Sequence, residues 1–265
     1  MGEIENLSRQ FDYRDDEWQQ FIKSIKITNI HGWTGQEIQF KFPVVAVVGE
    51  NGIGKSTFLK AAVCAYDNKA GKSFYPSKMF MNTRWEDPAL SDASIEYTVR
   101  CGNSFRNLKW KKTQDWVFTP KGKKPKRNTY FLDISRMLPL DATAGYAKIA
   151  MTTNTEAGNS YVLNENSLRD LSFVLGQEYI NARFTGTDIN NAREVGFSTK
   201  NYGEISQFHQ GTGEAAMLDL FKLLQEIPVQ SLLVIDEVEN SLHPQVQRRL
   251  IRYLLKLART KKLQI

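Results

Sequence analysis

Nine residues constrain this chain more than any others: Gly49-Glu50-Asn51-Gly52-Ile53-Gly54-Lys55-Ser56-Thr57. They follow five apolar residues, Val44 to Val48, and precede a helix-like run from Phe58 to Ala65. This is G-x-x-x-x-G-K-[ST] between an expected buried strand and an expected helix. Gly49, Gly52 and Gly54 let backbone N–H groups close around a polyphosphate. The helix N-terminus beyond them adds partial positive charge. In this pattern Lys55 is placed to reach the β and γ phosphates and the Ser56 hydroxyl to ligate Mg²⁺, so ATP and Mg²⁺ are the expected cofactors.

A second segment completes the chemistry. Ser231 to Ile235 is a short apolar run that ends in two carboxylates, Asp236 and Glu237. Phosphoryl transfer needs charge neutralisation on the β and γ oxygens and a positioned water, with little covalent help from protein. Asp236 fits the metal role, through a water, and Glu237 the role of orienting or deprotonating the attacking water. Between the two motifs, Gln210-Gly211-Thr212-Gly213-Glu214 opens a helix with Met217, Leu218, Leu220, Phe221 and Leu224 at helical spacing. Small residues ahead of a helix N-terminus make a second anion-binding feature.

The order of these elements resembles the ATP-binding-cassette ATPases of the SMC, RecF and OLD (overcoming lysogenization defect) group. The nine-residue loop is similar to their Walker A motif, including Asn51-Gly52 ahead of the lysine. Ile235-Asp236-Glu237 followed by Glu239-Asn240-Ser241-Leu242-His243-Pro244 resembles the Walker B motif and D-loop of OLD-like members, and Gly211-Thr212-Gly213-Glu214 sits where the family has its signature loop. The resemblance covers roughly residues 24 to 66 and 205 to 260. It implies an α/β P-loop head with a mostly parallel core sheet, an antiparallel β lobe and a helical lobe. It also implies a homodimer with ATP sandwiched between one subunit's Walker A loop and the partner's signature loop. In that arrangement Gly49, Asn51, Gly52, Gly54, Lys55, Ser56, Thr57, Thr212, Gly213 and Glu214 contact nucleotide, Ser56 and Asp236 hold the metal, and Glu237, Lys55 and Asp236 are catalytic.

Three departures accompany the match. Gly211-Thr212-Gly213 replaces the usual serine-glycine-glycine, leaving Thr212 to supply the hydroxyl. Arg136 stands near the expected Q-loop. His243 belongs to the D-loop and is not the family's switch histidine, and Leu263-Gln264-Ile265 reads as the start of the strand that precedes that histidine, so the switch region is expected from residues beyond these or from a partner.

The remaining chain reads as one ATPase domain over residues 1–265. Its parts are a first core half (23–66), an antiparallel β lobe (67–130), a return strand and helical lobe (131–207) and a second core half (208–265). Ser24 to Ile30 and Ile38 to Phe42 alternate at period two, as strands do. Tyr130 to Ile134 is expected to return to the core, and Asn164 to Ile180 to form a helix. Asn181 to Gln207 gives only weak signals. The Cys64 thiol is expected to be buried, and with no metal spacing between Cys64 and Cys101 a reducing cytoplasm is the expected compartment.

The net charge of +6 conceals segregation. Arg106 to Arg127 holds nine basic residues and one acid, Asp115, and Arg248 to Lys262 holds seven basic residues and no acid. Such clusters point to a polyanion, so nucleic acid is an expected partner of both. No apolar run approaches the roughly 20 residues of a membrane span, and no Asn-Lys-x-Asp sequence favours guanine nucleotides. Two functions fit: an ATPase head that dimerises around ATP in DNA repair or anti-phage defence, or a weakly hydrolysing regulatory module that gates a separate effector such as a nuclease.

Overall fold

A computed structural model describes residues 2–81, 90, 92–132, 160–187, 190–238 and 241–265. The chain divides into two compact units built from discontinuous segments. The first comprises Met1–Leu132, Pro228–Asp236 and Leu254–Ile265, and the second Asp133–Ile227 and Glu237–Tyr253.

In the first unit, helix α1 (Glu3–Tyr13) buries Leu7 and Phe11. Strands β1 (Gln20–Ile30) and β2 (Trp33–Gln39) follow as a hairpin. Its turn uses left-handed backbone at His31 (φ 43°) and Gly32 (φ 88°). The hairpin belongs to a five-stranded antiparallel sheet of order β2-β1-β4-β5-β6, with β4 at Ser94–Cys101, β5 at Ser104–Lys112 and β6 at Trp116–Thr119. One face carries Ile25, Ile27, Ile95, Tyr97, Val99, Leu108 and Trp110, all buried. Each fully buried aliphatic side chain contributes about 1.5–3 kcal/mol.

Helix α2 (Lys55–Val63) packs on β1. The sheet supplies further donors at the C-terminal end of α2: Tyr97 Oη donates at 2.8 Å to Ala61 O, which also accepts from Cys64 N at 3.1 Å, and Trp110 Nε1 donates to Cys64 O at 3.1 Å. Cys64 is buried, as expected from its position, and burial pushes its thiol pKa up to about 12.

A parallel core lies beneath α2. Strand β8 (Thr129–Leu132) pairs in parallel with β13 (Leu232–Ile235), Leu232 opposite Thr129. On its other side Leu232 bridges Gln264 in parallel. Ile265 in turn exchanges bonds with Pro43 O (2.8 Å) and Val45 N (2.9 Å). The spatial order is therefore 129–132, 232–235, 264–265, 43–45. Here the structure corrects an expectation. Val44 to Val48 is not a buried strand, because its ladder stops after those two bonds and Val48 is 88% exposed.

A short parallel pair, β3 (Asp67–Asn68) with β7 (Lys126–Arg127), joins two loops of this unit, and helix α3 (Pro76–Met79) lies between β3 and β4. Arg127 is 1% exposed. Its guanidinium donates to Gln230 O, Ser231 O, Gln264 Oε1 and Tyr66 Oη at 2.7–3.4 Å.

The second unit holds β9 (Ser160–Val162), α4 (Glu165–Leu175), β10 (Asn181–Thr187), β11 (Asn190–Lys200), β12 (Gly203–Ser206), α5 (Thr212–Glu226) and the first part of α6 (Pro244–Lys261). Asn164 Oδ1 caps α4 by accepting from Ser167 N at 2.9 Å, and Gly176 (φ 71°) ends it. The glycine is why the helix stops before Ile180. The strands form an antiparallel sheet of order β12-β11-β10-β9. The stretch expected to be a helical lobe thus contains both a helix and a sheet, and the weakly signalled Asn181 to Gln207 supplies three of its strands. Arg136, Glu239 and Asn240 lie outside the described residues.

Candidate nucleotide-binding site

The loop from Gly49 to Gly54 is open to solvent, with Asn51, Gly52 and Ile53 exposed. Gly52 (φ 84°) and Gly54 (φ 97°) take left-handed backbone that a side chain would strain. At Gly54 space matters as well. A Cβ there would lie 2.6 Å from Trp33 Nε1. Lys55, the first residue of α2, turns its ammonium back over the loop, donating to Gly49 O at 2.7 Å and Glu50 O at 2.9 Å. These carbonyls hold the cation above the loop, where a phosphate group would meet it.

The turn between β1 and β2 supports this loop from one side. Trp33 Nε1 donates to Gly54 O at 3.2 Å, and the indole stacks on Phe58 of α2 with centroids 5.6 Å apart. His31 Nδ1 lies 3.4 Å from the hydroxyl of buried Thr57. From sequence, His31-Gly32-Trp33 reads only as a turn. A tryptophan just past a glycine turn is the available signal, but nothing local indicates that it reaches residue 54.

Helix α2 packs against both β13 and β8. Asp236 follows β13 directly, and its N–H donates to Leu132 O at 2.8 Å. The helix that begins with Lys55 and Ser56 and the strand that presents Asp236 are thus packed together within the first unit. Glu237, the next residue, is exposed and has φ 54°, a left-handed conformation that is uncommon for a residue with a side chain. Among the described residues no group of three His, Cys, Asp or Glu side chains could hold a metal. Ser56 and Asp236 would supply two ligands and leave the rest of an Mg²⁺ shell to phosphate oxygens and water, the usual division for that ion.

The signature-loop residues sit in the second unit. Thr212 is exposed at the first position of α5. Gly213 fits against the 241–242 segment so closely that a Cβ would lie 2.4 Å from Ser241 O. Glu214 is held internally, 2.9 Å from Lys200 Nζ and 3.2 Å from Ser198 Oγ.

The two basic segments fare differently from their sequence appearance. Lys124 is buried, paired with Asp67 at 3.4 Å and enclosed by the Tyr75 and Trp110 rings. Arg127 is buried too. Lys109 pairs with Glu96 at 2.7 Å and Lys111 with Asp92 at 4.0 Å. Three of the nine basic residues, Lys109, Lys111 and Lys124, thus find carboxylate partners outside the window. In the second segment Arg259 pairs with Glu3 at 3.2 Å and Lys262 with Glu17 at 2.5 Å, while Arg248 and Arg252 are exposed.

A left-handed glycine loop curled under a lysine, opening into a helix that packs on a parallel strand pair, defines a P-loop nucleotide-binding α/β head. The chain belongs to the family described as "AAA domain, putative AbiEii toxin, Type IV TA system", whose domain matches residues 122–265, more than half of its length. Solved structures also match. The SMC head domain from Thermotoga maritima aligns with TM-score 0.49 and 16% identity over 91% of this chain and 86% of that one. The recombination mediator protein RecF with ATP, of the RecFOR pathway, aligns with TM-score 0.47 and 14% identity over 90% of this chain and 89% of that one. No curated protein matches the chain. Among the described residues no helix is long and apolar enough to cross a membrane.

Proposed function

We propose that this chain is an ATP-binding and ATP-hydrolysing head that dimerises around nucleotide and couples that cycle to a nucleic-acid task in DNA repair or anti-phage defence. One observation carries the ATP reading: α2 starts at a lysine folded over a glycine loop and packs on the strand that Asp236 directly follows. Lys55 would place its charge on the β and γ phosphates. Ser56 and Asp236 would hold Mg²⁺, which neutralises the phosphate oxygens when bound. Glu237 would orient the attacking water and accept its proton. Thr212, exposed at the start of α5, would offer its hydroxyl to the γ-phosphate held by a second copy of the chain.

A second reading has its own support. The family description names a toxin of a toxin–antitoxin system. That suits a regulatory module whose ATP state gates a separate effector, with hydrolysis slow. ATP turnover measured with and without duplex DNA separates the two. Turnover stimulated by DNA supports the nucleic-acid-coupled head. Tight ATP binding with turnover that DNA leaves unchanged supports the gating module. Absence of ATP binding overturns both.

A further inference from the structure

The parallel pair β3–β7 brings together two lysine-bearing loops that lie far apart in the sequence. Asp67 stands opposite Lys126 and Asn68 opposite Arg127. Asp67 N donates to Pro125 O at 2.9 Å and Lys69 N to Arg127 O at 3.2 Å. One loop then presents Lys69 and Lys72, the other Lys121, Lys123 and Lys126, and all five residues are exposed. None of the five makes an ion pair among the described residues.

Both loops are pinned by groups that do not belong to this set. Asn68 Oδ1 accepts from Ala70 N and from Thr129 N, each at 2.9 Å, and Asn68 N donates to Ser73 Oγ at 2.9 Å. Lys124, whose side chain is 7% exposed, anchors the other loop through Asp67. Its ammonium sits 4.8 Å from the Tyr75 ring centroid and 5.2 Å from that of Trp110. Asp67, the carboxylate within the pair, is thus already engaged. What remains outward is a concentrated, like-charged surface on preorganised backbone.

We propose that Lys69, Lys72, Lys121, Lys123 and Lys126 form one composite surface that binds the phosphate backbone of a nucleic-acid duplex. The choice of a nucleic-acid partner rests on the proposed function; the juxtaposition of the lysines does not. Lysine is a point charge suited to phosphate without base readout. Single strands call for exposed aromatic platforms. Here Trp110 is 6% exposed with its Nε1 on Cys64 O, Trp116 packs on Phe80, and Tyr75, although 38% exposed, has Lys124 Nζ 4.8 Å from its ring centroid. The surface excludes Lys109, Lys111, Lys124 and Arg127 of the basic window and adds two lysines from outside it.

The test replaces the Lys69/Lys72 pair, the Lys121/Lys123/Lys126 trio, and all five, by alanine. The loops are joined through backbone bonds, so the variants should melt like the parent. Labelled DNA duplex, RNA duplex and polyglutamate are titrated at two salt concentrations, and ATP binding is measured by calorimetry on the same samples. Expected is a loss of duplex affinity of about tenfold or more in the five-lysine variant, with partial losses in the pair and in the trio. The salt slope should fall by about 0.9 for each DNA phosphate that the variant no longer neutralises. The DNA and RNA arms show which duplex supplies the phosphates. Wild-type affinity and slope in the five-lysine variant, loss confined to one loop, no duplex binding by the parent, or tighter binding to polyglutamate than to either duplex would each overturn the surface. ATP affinity should be unchanged throughout. If the parent binds duplex but not ATP, the ATPase reading fails while this surface stands.

Discussion

Trp33 donates its indole N–H to the carbonyl of Gly54 at 3.2 Å, joining the β1–β2 turn to the phosphate loop. The same carbonyl accepts from Phe58 N at 3.0 Å, so it is shared between the first turn of α2 and the antiparallel sheet. Trp33 is a positioning residue for the loop. Trp33→Phe retains an aromatic ring over Phe58 and removes the donor. Calorimetry should show about fivefold weaker ATP binding, the worth of one hydrogen bond of about 1 kcal/mol. Gly54→Ala should cost more, since its Cβ would meet the indole at 2.6 Å and its φ of 97° disfavours a side chain. Equal affinity in Trp33→Phe would remove the turn from the site.

Lys55→Ala removes the ammonium held by Gly49 O and Glu50 O. ATP affinity should fall by about a hundredfold, in line with removal of a charge-assisted hydrogen bond to phosphate. The melting temperature without nucleotide should stay close to that of the parent, because the lysine bonds only to loop carbonyls. Parent-like affinity in folded protein would refute the assignment of this loop.

Glu237 combines a proposed role with an uncommon backbone, φ 54°. Glu237→Gln should keep ATP binding and slow turnover, since the carboxylate is expected to act on water and not on nucleotide. Glu237→Asn should also lose turnover while remaining folded, because asparagine tolerates the left-handed region. Urea unfolding of the two variants side by side checks this. An unchanged turnover rate in Glu237→Gln would show that another group handles the water.

Site completion between subunits can be tested by mixing inactive chains. Gly213 is a poor position for the second lesion, because any Cβ there strikes Ser241 O. Thr212 is exposed at the helix start, where an acid is compatible with the helix dipole. Thr212→Asp should therefore fold and repel the γ-phosphate. Mixed with Lys55→Ala chains it should restore turnover through one intact hybrid site. Verified heterodimers without recovery would mean that each chain works alone.

Asp15 offers a check by pH. A hydrogen bond from Arg100, with Nη2 2.6 Å from Asp15 Oδ2, holds its carboxyl below the usual value, assisted by Lys23 at 3.0 Å and opposed by partial burial. A depressed folded-state pKa gives stability that is present above the unfolded value of about 3.9 and is lost as pH falls through the folded value. Asp15→Asn should lower stability at neutral pH and flatten the acid limb of a urea-midpoint profile. An unchanged acid limb would show that the cluster is too solvated to matter.

Much of the fold is legible in the sequence because its signals are local. The glycine loop, the helix after it, the run ending at Asp236 and the start of α4 at Asn164 each follow from a few adjacent residues, whereas the end of α4 at Gly176 falls short of the Ile180 that the apolar spacing suggests. Strands β10 to β12 are not legible. Their inward positions include Thr185, Ser198 and Lys200, which are buried but polar, so the apolar alternation that marks a strand is weak. The fate of the basic window is hidden for another reason: Arg127 is satisfied by Tyr66, Gln230, Ser231 and Gln264, and no spacing rule links them. Val44 to Val48 shows the reverse failure. Its apolar run reads as a buried strand, yet strand formation depends on partners, and among the described residues only Ile265 provides ladder bonds.

The Gln264 side chain reproduces a backbone pairing with Ile22, accepting from its N–H at 2.8 Å and donating to its carbonyl at 2.9 Å. Leu263 O accepts from Trp18 Nε1 at 2.9 Å, and Gln264 Oε1 also receives Arg127. These links tie residues made early on the ribosome to residues made 137 to 245 positions later. While residues 263–265 are still inside the exit tunnel, β1, Arg127 and β13 lack their common partner. The parallel core beneath α2 must then close after synthesis has passed Ile265. Until that segment emerges, Pro43 and Val45, which lead into the glycine loop, lack the backbone bonds that Ile265 gives them.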